Sequence, residues 1–253
     1  MSRTRLDKLV VERGLAATRE KAQALILAGQ IQVNGRRAEK AGARVPTNAT
    51  LELVGEPARY VSRGGRKLEG ALAHFGLDPT GKVCLDIGAS TGGFTDCLLQ
   101  HGARKVFAVD VGRGQLDWRL RRDPRVVVLE GKNARYLKPA DLGWPHAGSP
   151  ESGQPADLIT IDVAFISVEK ILPAALACAH ARTDLLILVK PQFELTRRQV
   201  GKGGIVREAA LQQQAVDKVA RAAQQLGLDV RGVRESCLPG TEGNREFFLY
   251  AHP

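Results

Sequence analysis

Ionisable side chains stand at the ends of four short apolar runs in this chain. Asp110, Asp162 and Lys190 each come directly after such a run, and Asp86 falls one residue before the end of another. Short apolar runs with helical stretches between them are typical of parallel strands covered on both faces. Because such a sheet binds its ligand beyond the carboxyl ends of its strands, we expect these four side chains to meet at one rim.

A turn of small residues joins the first apolar run to a helix predicted to begin near Gly92. Residues 86–94 read Asp-Ile-Gly-Ala-Ser-Thr-Gly-Gly-Phe. Small residues let the backbone approach a ligand closely, and a helix N-terminus offers free N–H groups. Asp110, about twenty residues later, suits the two ribose hydroxyls of an adenosine. This acid-x-Gly-x-Ser-x-Gly-Gly pattern is typical of methyltransferases, whereas dehydrogenases carry Gly-x-Gly-x-x-Gly.

The sequence therefore favours S-adenosylmethionine as the cofactor, with a purely structural turn as the alternative. The residues predicted to hold it are Asp86, Gly88, Ala89, Ser90, Gly92, Gly93, Phe94, Asp110, Val111, Asn133 and Asp162.

The elements that must position these residues are five strands with helices between them. We predict them at residues 83–87, 106–110, 126–129, 158–162 and 185–190. An α/β domain over residues 63–253 with a Rossmann-like sheet, of the class I methyltransferase type, follows from this pattern. Residues 147–155 are predicted to form an inserted flexible loop before the fourth strand.

The first quarter of the chain is a separate, strongly basic segment. Residues 1–61 hold eleven basic and six acidic residues, and so half of the net charge of +10. Thr18 is a predicted cap for the second of two short helices, and Asn34-Gly35 predicts a tight hairpin. Residues 1–58 resemble the S-four (S4) RNA-binding domain, a small α+β fold, and residues 59–62 are predicted to be a linker. The alternative for this segment is a solvated basic face on a structural cap.

Composition limits the class of partner. A pI of about 9.8 favours nucleic acid, an acidic surface or an anionic membrane. The longest apolar stretches are far shorter than the roughly 20 residues of a membrane helix. The four cysteines have no metal-ligand spacing, so no metal site is predicted and a reducing cytoplasm is expected.

Taken over nearly its full length, the chain resembles the TlyA-type haemolysin family of ribosomal RNA 2′-O-methyltransferases, which have an FtsJ-like catalytic domain. The motifs that carry this resemblance are residues 60–68, 86–96, 108–116, 162–167, 189–194 and 243–247. The resemblance implies S-adenosylmethionine as cofactor and ribosomal RNA or ribosomal subunits as partner, with methylation of cytidine in one or both subunits. Because the chain has no apolar run of membrane-spanning length, no membrane partner is expected.

The same resemblance assigns a catalytic tetrad to Lys67, Asp162, Lys190 and Glu246. It makes Lys190 the base that removes the proton from the ribose hydroxyl. Lys67 would hold the substrate or steady the developing oxyanion, and the two carboxylates would orient these groups. The residues expected to contact RNA are Arg5, Lys8, Arg19, Lys21, Arg36, Arg63 and Arg66.

Three other functions stay open at this point. Residues 162–165 faintly resemble an acid-Pro-Pro-aromatic motif that methylates base amino groups, but both prolines are missing. The family's name implies a membrane-active cytolysin, and a third alternative is a non-catalytic RNA-binding factor for ribosome assembly. Labelled methyl transfer to ribosomal RNA, set beside liposome leakage, discriminates among them.

Overall fold

The structure is a computed structural model that describes residues 2–27, 29–38, 40–54, 59–144, 155–240 and 243–253. The chain divides into two compact units, Met1–Pro57 and Ala58–Pro253. Over the described residues, no helix combines the length and the apolar character needed to span a membrane.

The N-terminal unit packs two short helices beside two small antiparallel sheets. Its elements are β1 (Arg3–Arg5), α1 (Leu6–Glu12), α2 (Arg19–Leu27), β2 (Ile31–Val33), β3 (Arg36–Arg37), β4 (Arg44–Pro46) and β5 (Leu51–Leu53). Strand β1 pairs with β4, and β2 lies between β3 and β5. Leu6, Val10 and Ile26 form the centre of its core. Asn34 and Gly35 both have positive φ, as the predicted hairpin turn requires.

The second unit is a twisted α/β sheet with helices on both faces. Its elements are α3 (Arg63–Phe75), β6 (Val83–Ile87), α4 (Gly93–Gln100), β7 (Lys105–Asp110), α5 (Trp118–Arg122), β8 (Val126–Glu130), β9 (Ala156–Ile161), α6 (Leu172–Leu176), β10 (Ala179–Val189), α7 (Pro191–Glu194), α8 (Ala209–Gln225), β11 (Asp229–Glu235) and β12 (Phe247–His252). The five predicted strands are present, and the predicted Rossmann-like fold is confirmed. The predicted insertion at 147–155 falls almost entirely outside the described residues.

In the described part of the chain the sheet has the strand order β11-β12-β10-β9-β6-β7-β8. Strands β6 to β10 run parallel, and β12 is antiparallel to both of its neighbours. Alternate residues of β6 enter two different cores: Leu85 packs on one face of the sheet and Cys84 on the other. This two-residue period decides which way each polar side chain at the strand ends points.

Candidate active site

A cavity of about 340 Å³ lies at the carboxyl ends of β6, β9 and β10. This is the edge at which parallel sheets bind ligands, and the volume is within the range of small-molecule sites. The side chains and backbone that line it belong to Ser62, Arg63, Gly64, Lys67, Gly88, Ala89, Ser90, Thr91, Gly93, Phe94, Asp162, Lys190 and Glu246. Nine of the residues assigned to catalysis or cofactor binding line this one cavity, and the roles given to them stay predictions.

The glycine turn forms one wall of the cavity because it brings strand ends very close together. Gly88 has φ of +89°, and a Cβ atom on it would lie 2.1 Å from the backbone oxygen of Asp162. The N–H groups of Gly88 and Ala89 both donate to the carbonyl oxygen of Val109. A side chain at position 88 would push the end of β9, and Asp162 with it, away from the turn.

Asp110 lies beside the cavity with both carboxylate oxygens held by backbone N–H groups. Gly112 N donates to Oδ1 at 2.7 Å and Ser90 N donates to Oδ2 at 2.8 Å. The next residue, Val111, is 69% exposed although it is apolar. Asn133 is exposed nearby and accepts from the N–H of Arg135 at 3.0 Å. These three predicted cofactor residues, like Gly92, are not among the residues that line the cavity.

Asp86 is fully buried on the face of the sheet that is covered by α4. Its carboxylate accepts hydrogen bonds from the hydroxyls of Thr95 at 2.7 Å and Thr160 at 3.1 Å. Burial raises its pKa to about 7, and the two hydroxyls oppose that rise. The sequence analysis placed Asp86 among the cofactor ligands. Asp86 is not among the residues that line the cavity, and its place among the cofactor residues stays a prediction.

The four residues of the expected tetrad form two ion pairs. Lys67 Nζ lies 2.6 Å from Glu246 Oε2, and Lys190 Nζ lies 2.5 Å from Asp162 Oδ1. The side chains of Lys67 and Glu246 are 11% and 3% exposed, and those of Lys190 and Asp162 are 14% and 22% exposed. Pairing of this kind keeps nearly buried charges stable and fixes each amine at one point of the cavity wall.

Each member of the tetrad is delivered by a different segment. Lys67 is on the first turns of α3, whose Gly65 packs under Tyr60 so tightly that a Cβ would lie 2.3 Å from the ring. Asp162 and Lys190 follow β9 and β10 directly. Glu246 precedes β12, and its carbonyl oxygen accepts from Ser236 N at 2.8 Å.

The segment before β12 is anchored by a buried asparagine. Asn244 is 1% exposed; its side chain accepts from Val206 N at 2.9 Å and donates to the Gly204 carbonyl at 2.9 Å. Gly240 N donates to the Asn244 carbonyl, and a Cβ on Gly240 would come within 2.6 Å of the Glu246 carboxylate. Glu246 therefore sits in a closely fitted pocket of backbone.

A buried carboxylate also ties the segments after β9 and β10 together. Glu194, 5% exposed, accepts from Ser167 Oγ at 2.5 Å and from Val168 N at 2.8 Å. Lys218 of α8 donates to the Glu194 carbonyl at 2.8 Å. The same two segments meet again where the ring of Phe165 contacts that of Phe193, with centroids 5.2 Å apart. Asp162 and Lys190 thus lie on two segments that these hydrogen bonds and this ring contact join to each other.

Phe165, on the segment after β9, is unusual because its side chain is 91% exposed and its φ is +64°. A positive φ is uncommon outside glycine and strained for a bulky residue. The backbone therefore holds an aromatic ring out in solvent, three residues from Asp162.

The residues expected to contact RNA fall in both units. In the N-terminal unit, Arg5 and Arg19 both bind the fully buried carboxylate of Asp7, at 2.9 and 3.1 Å. The guanidinium of Arg5 in particular holds the pKa of Asp7 well below its usual range. Lys8 pairs with Glu12 at 3.7 Å, while Lys21 is half-buried and Arg36 is exposed on the hairpin.

In the second unit, Arg63 lines the cavity and donates to the Pro239 carbonyl at 3.1 Å, and Arg66 is exposed one turn along α3.

Three lining residues were not assigned by the sequence analysis: Ser62, Gly64 and Thr91. Thr91 lies within the quoted glycine turn, and Ser62 and Gly64 lie within the 60–68 motif, so the signal was present in both cases. Residues 59–62 were expected to be a linker, but Tyr60 is 3% exposed in the core and Val61 N donates to Asp96 at 2.8 Å. In the structure this stretch is part of the wall of the second unit.

Comparison with known families matches both units. A family model described as FtsJ-like methyltransferase matches residues 60–252, and one described as S4 domain matches residues 4–51. Among curated relatives, the 16S/23S rRNA (cytidine-2′-O)-methyltransferase TlyA of Mycobacterium tuberculosis is 47% identical over 98% of this chain and 89% of its own length.

Solved structures agree with this. A protein from Streptococcus thermophilus, described as a hemolysin candidate, is 42% identical with a TM-score of 0.76, over 100% of this chain and 89% of that one. An S-adenosylmethionine-dependent methyltransferase from Mesorhizobium loti, only 14% identical, has a TM-score of 0.53 over 74% of this chain and 98% of its own. The second likeness shows the fold alone.

Proposed function

The chain belongs to the FtsJ-like methyltransferase family, with an S4 domain at its N-terminus, and from this premise we propose that it methylates ribose 2′-hydroxyls of ribosomal RNA with S-adenosylmethionine as the methyl donor. The curated relatives named as rRNA (cytidine-2′-O)-methyltransferases make cytidine the proposed nucleoside. The observation that carries the proposal is the pair of lysine–carboxylate contacts in one cavity beside the glycine turn.

The residues around the cavity fit this cofactor. Backbone at Gly88 and Ala89 lines the wall without side-chain bulk, and the Asp110 carboxylate keeps lone pairs for two ribose hydroxyls. The exposed side chain of Val111 supplies an apolar face for an adenine ring. When bound, S-adenosylmethionine supplies a methyl group on a positively charged sulfur. The sulfur leaves as a neutral thioether, so the leaving group needs no acid.

The chain's own residues must then activate a poor nucleophile. A ribose hydroxyl has to lose its proton as its oxygen attacks, and we assign the acceptance of that proton to Nζ of Lys190. Asp162, 2.5 Å away, stabilises the ammonium that results. Lys67, held by Glu246, stabilises negative charge on the attacking oxygen. Alignment of the oxygen with the methyl group supplies much of the remaining acceleration.

Substitution of Lys190 by arginine tests this assignment. Arginine keeps the positive charge near Asp162 but does not give up a proton in proteins, so we expect a rate loss of about 10²–10⁴ in single-turnover methyl transfer. Binding of cofactor and RNA, measured separately by calorimetry and anisotropy, should change little. Lys82→Arg is a matched control, because Lys82 pairs with Asp184 at 2.7 Å at the other end of β6. Near-normal turnover of Lys190→Arg would show that Lys190 is not the base, and that Asp162, Glu246 or water accepts the hydroxyl proton instead.

The function itself is tested by mapping the product. Ribosomal RNA incubated with the wild-type chain and labelled cofactor should gain label at a ribose 2′-oxygen, found as an alkali-resistant linkage. Label on a base, or no label together with leakage of liposomes, contradicts the proposal.

A further inference from the structure

The exposed aromatic side chains of the second unit follow parallel strands. Within the described ranges, the aromatic residues classed as exposed are Trp118, Tyr136 and Phe165, at 57%, 61% and 91%. They come after β7, β8 and β9 respectively, on the segments that leave the carboxyl edge of the sheet. Large aromatic side chains are more often buried than exposed. Their exposure at the edge of the sheet that carries the cavity therefore indicates a binding surface.

Trp118 and Tyr136 are tied to the border of the cavity through the backbone. Asp117 N, one residue before Trp118, donates to the carbonyl of Thr91, which lines the cavity. Tyr136 ends a short turn, and Lys132, four residues before it, donates its N–H to the Asp110 carbonyl at 3.0 Å. Both rings are exposed to solvent and lie on segments that are hydrogen-bonded to this edge of the sheet.

Each of these two rings is accompanied by an arginine. The guanidinium carbon of Arg122 lies 5.4 Å from the Trp118 ring centre, and that of Arg135 lies 5.5 Å from the Tyr136 ring centre. Neighbouring arginines are neutralised: Arg121 pairs with Glu130 and Arg125 with Asp123. Among the described residues, no carboxylate pairs with Arg122 or Arg135. Arg122 and Arg135 therefore each combine an unpaired positive charge with a contact to an exposed aromatic ring.

We propose that Trp118 and Tyr136, with Arg122 and Arg135, form a stacking rim that binds unpaired nucleotides of RNA beside the cavity. The inference rests on the proposed function and adds to it an RNA-binding surface on the catalytic unit. Bases stack on aromatic rings, and guanidinium groups meet the phosphates or extend the stack. The residues between 113 and 135 include seven basic and three acidic side chains, which suits a polyanion.

Unpaired RNA is the partner because bases in a duplex are already stacked on each other. A-form helices offer mainly phosphates and 2′-hydroxyls to a protein, whereas loops and ends expose ring faces. Two exposed rings on segments that leave this edge of the sheet offer two stacking faces for unpaired bases.

The two tryptophans of the chain give a direct test. Trp144 is 7% exposed and packs edge-on against Phe107, so Trp144→Phe keeps an aromatic ring there and leaves Trp118 as the single tryptophan. Titration of this full-length variant with a short oligouridylate should quench its emission, because a stacked base quenches indole. Heparin, a polyanion without bases, should bind without quenching. S-adenosylmethionine alone should leave the emission unchanged.

Alanine variants make the same test by affinity. Trp118→Ala and Tyr136→Ala should each weaken oligouridylate binding about tenfold in anisotropy. Leu226→Ala, which truncates an exposed apolar side chain at the end of α8, is the control and should bind normally.

The results of these experiments distinguish failure of the stacking rim from failure of the proposed methyltransferase function. Methylation of ribosomal RNA together with unchanged Trp118 emission on RNA binding overturns the stacking rim and leaves the proposed function standing. Loss of cofactor affinity in the alanine variants, with oligouridylate affinity intact, assigns the rings to adenine and also overturns it. A wild-type chain that binds no RNA overturns both.

Discussion

Burial controls the chemistry of Asp86, a residue that a sequence motif alone places at the cofactor. Its carboxyl group is fully buried between Thr95 and Thr160, with a pKa raised to about 7 by burial. In the unfolded chain an aspartate ionises near pH 3.9. The folded state is therefore favoured while both forms are protonated, and this contribution is lost as the pH rises from about 4 through 7.

Asp86→Asn removes this titration while it keeps a side chain of the same shape between the two hydroxyls. We expect the variant to become more stable relative to the wild type as the pH rises from 4 to 7, by at most about 4 kcal/mol. Denaturant unfolding of both proteins across this range measures the difference. A difference that does not depend on pH would show that Asp86 is already ionised at pH 4 in the folded chain.

At the residue scale, sequence patterns identify candidate site residues more reliably than they predict the orientation and burial of those side chains. The glycine turn and its motif pointed to the cavity, yet the orientation of Asp86 depends on the pleat of β6. Similarly, a count of basic residues assigns Arg5 and Arg19 to RNA, while both bind Asp7, whose burial no pattern reveals. Burial is a property of the packed chain, and the sequence shows it only indirectly.

At the scale of elements, Glu194 links the segments after β9 and β10 on which Asp162 and Lys190 lie. Glu194→Gln keeps its size but removes the charge that strengthens the hydrogen bonds to Ser167 and Val168. We expect kcat to fall about tenfold, equivalent to about 1.4 kcal/mol of positioning energy, with KM nearly unchanged. Steady-state kinetics on ribosomal RNA measure both values.

This split in the kinetics distinguishes positioning from general stability. Glu208→Gln, an exposed glutamate at the start of α8, serves as the control and should leave kcat and KM as they are. An equal loss of kcat in Glu208→Gln, or a change in KM alone for Glu194→Gln, contradicts the role given to Glu194.

The apolar runs predicted five strands well because parallel strands are buried on both faces and read as continuous apolar stretches. The place of β12 was harder to foresee. It is inserted antiparallel between β10 and β11, which are close to each other in the chain order but not paired. Strand order of this kind depends on long-range packing, and the segment with Glu246 gives only a local signal for it.

At the scale of the molecule, each unit has its own core, so the second unit is expected to fold without the first. The truncation must keep Tyr60, which is buried in that core at 3% exposure, and therefore begins at Ala58. We expect the fragment 58–253 to bind S-adenosylmethionine within about twofold of the full chain, because every cavity-lining residue is retained. Calorimetry measures this, and absence of binding by a folded fragment contradicts it.

The same truncation should weaken binding of ribosomal RNA and reduce its salt dependence. Each phosphate contact that is lost lowers the slope of log affinity against log salt by about one.

Arg36→Ala in the full chain, which removes an exposed hairpin arginine, should reduce the slope by about one without loss of stability. Arg5→Ala should instead destabilise the N-terminal unit, because it removes hydrogen bonds from the buried Asp7 carboxylate. An unchanged slope in both the fragment and Arg36→Ala would mean that the basic face of the N-terminal unit is only solvated, and RNA binding would then rest on the arginines and aromatic rings of the catalytic unit.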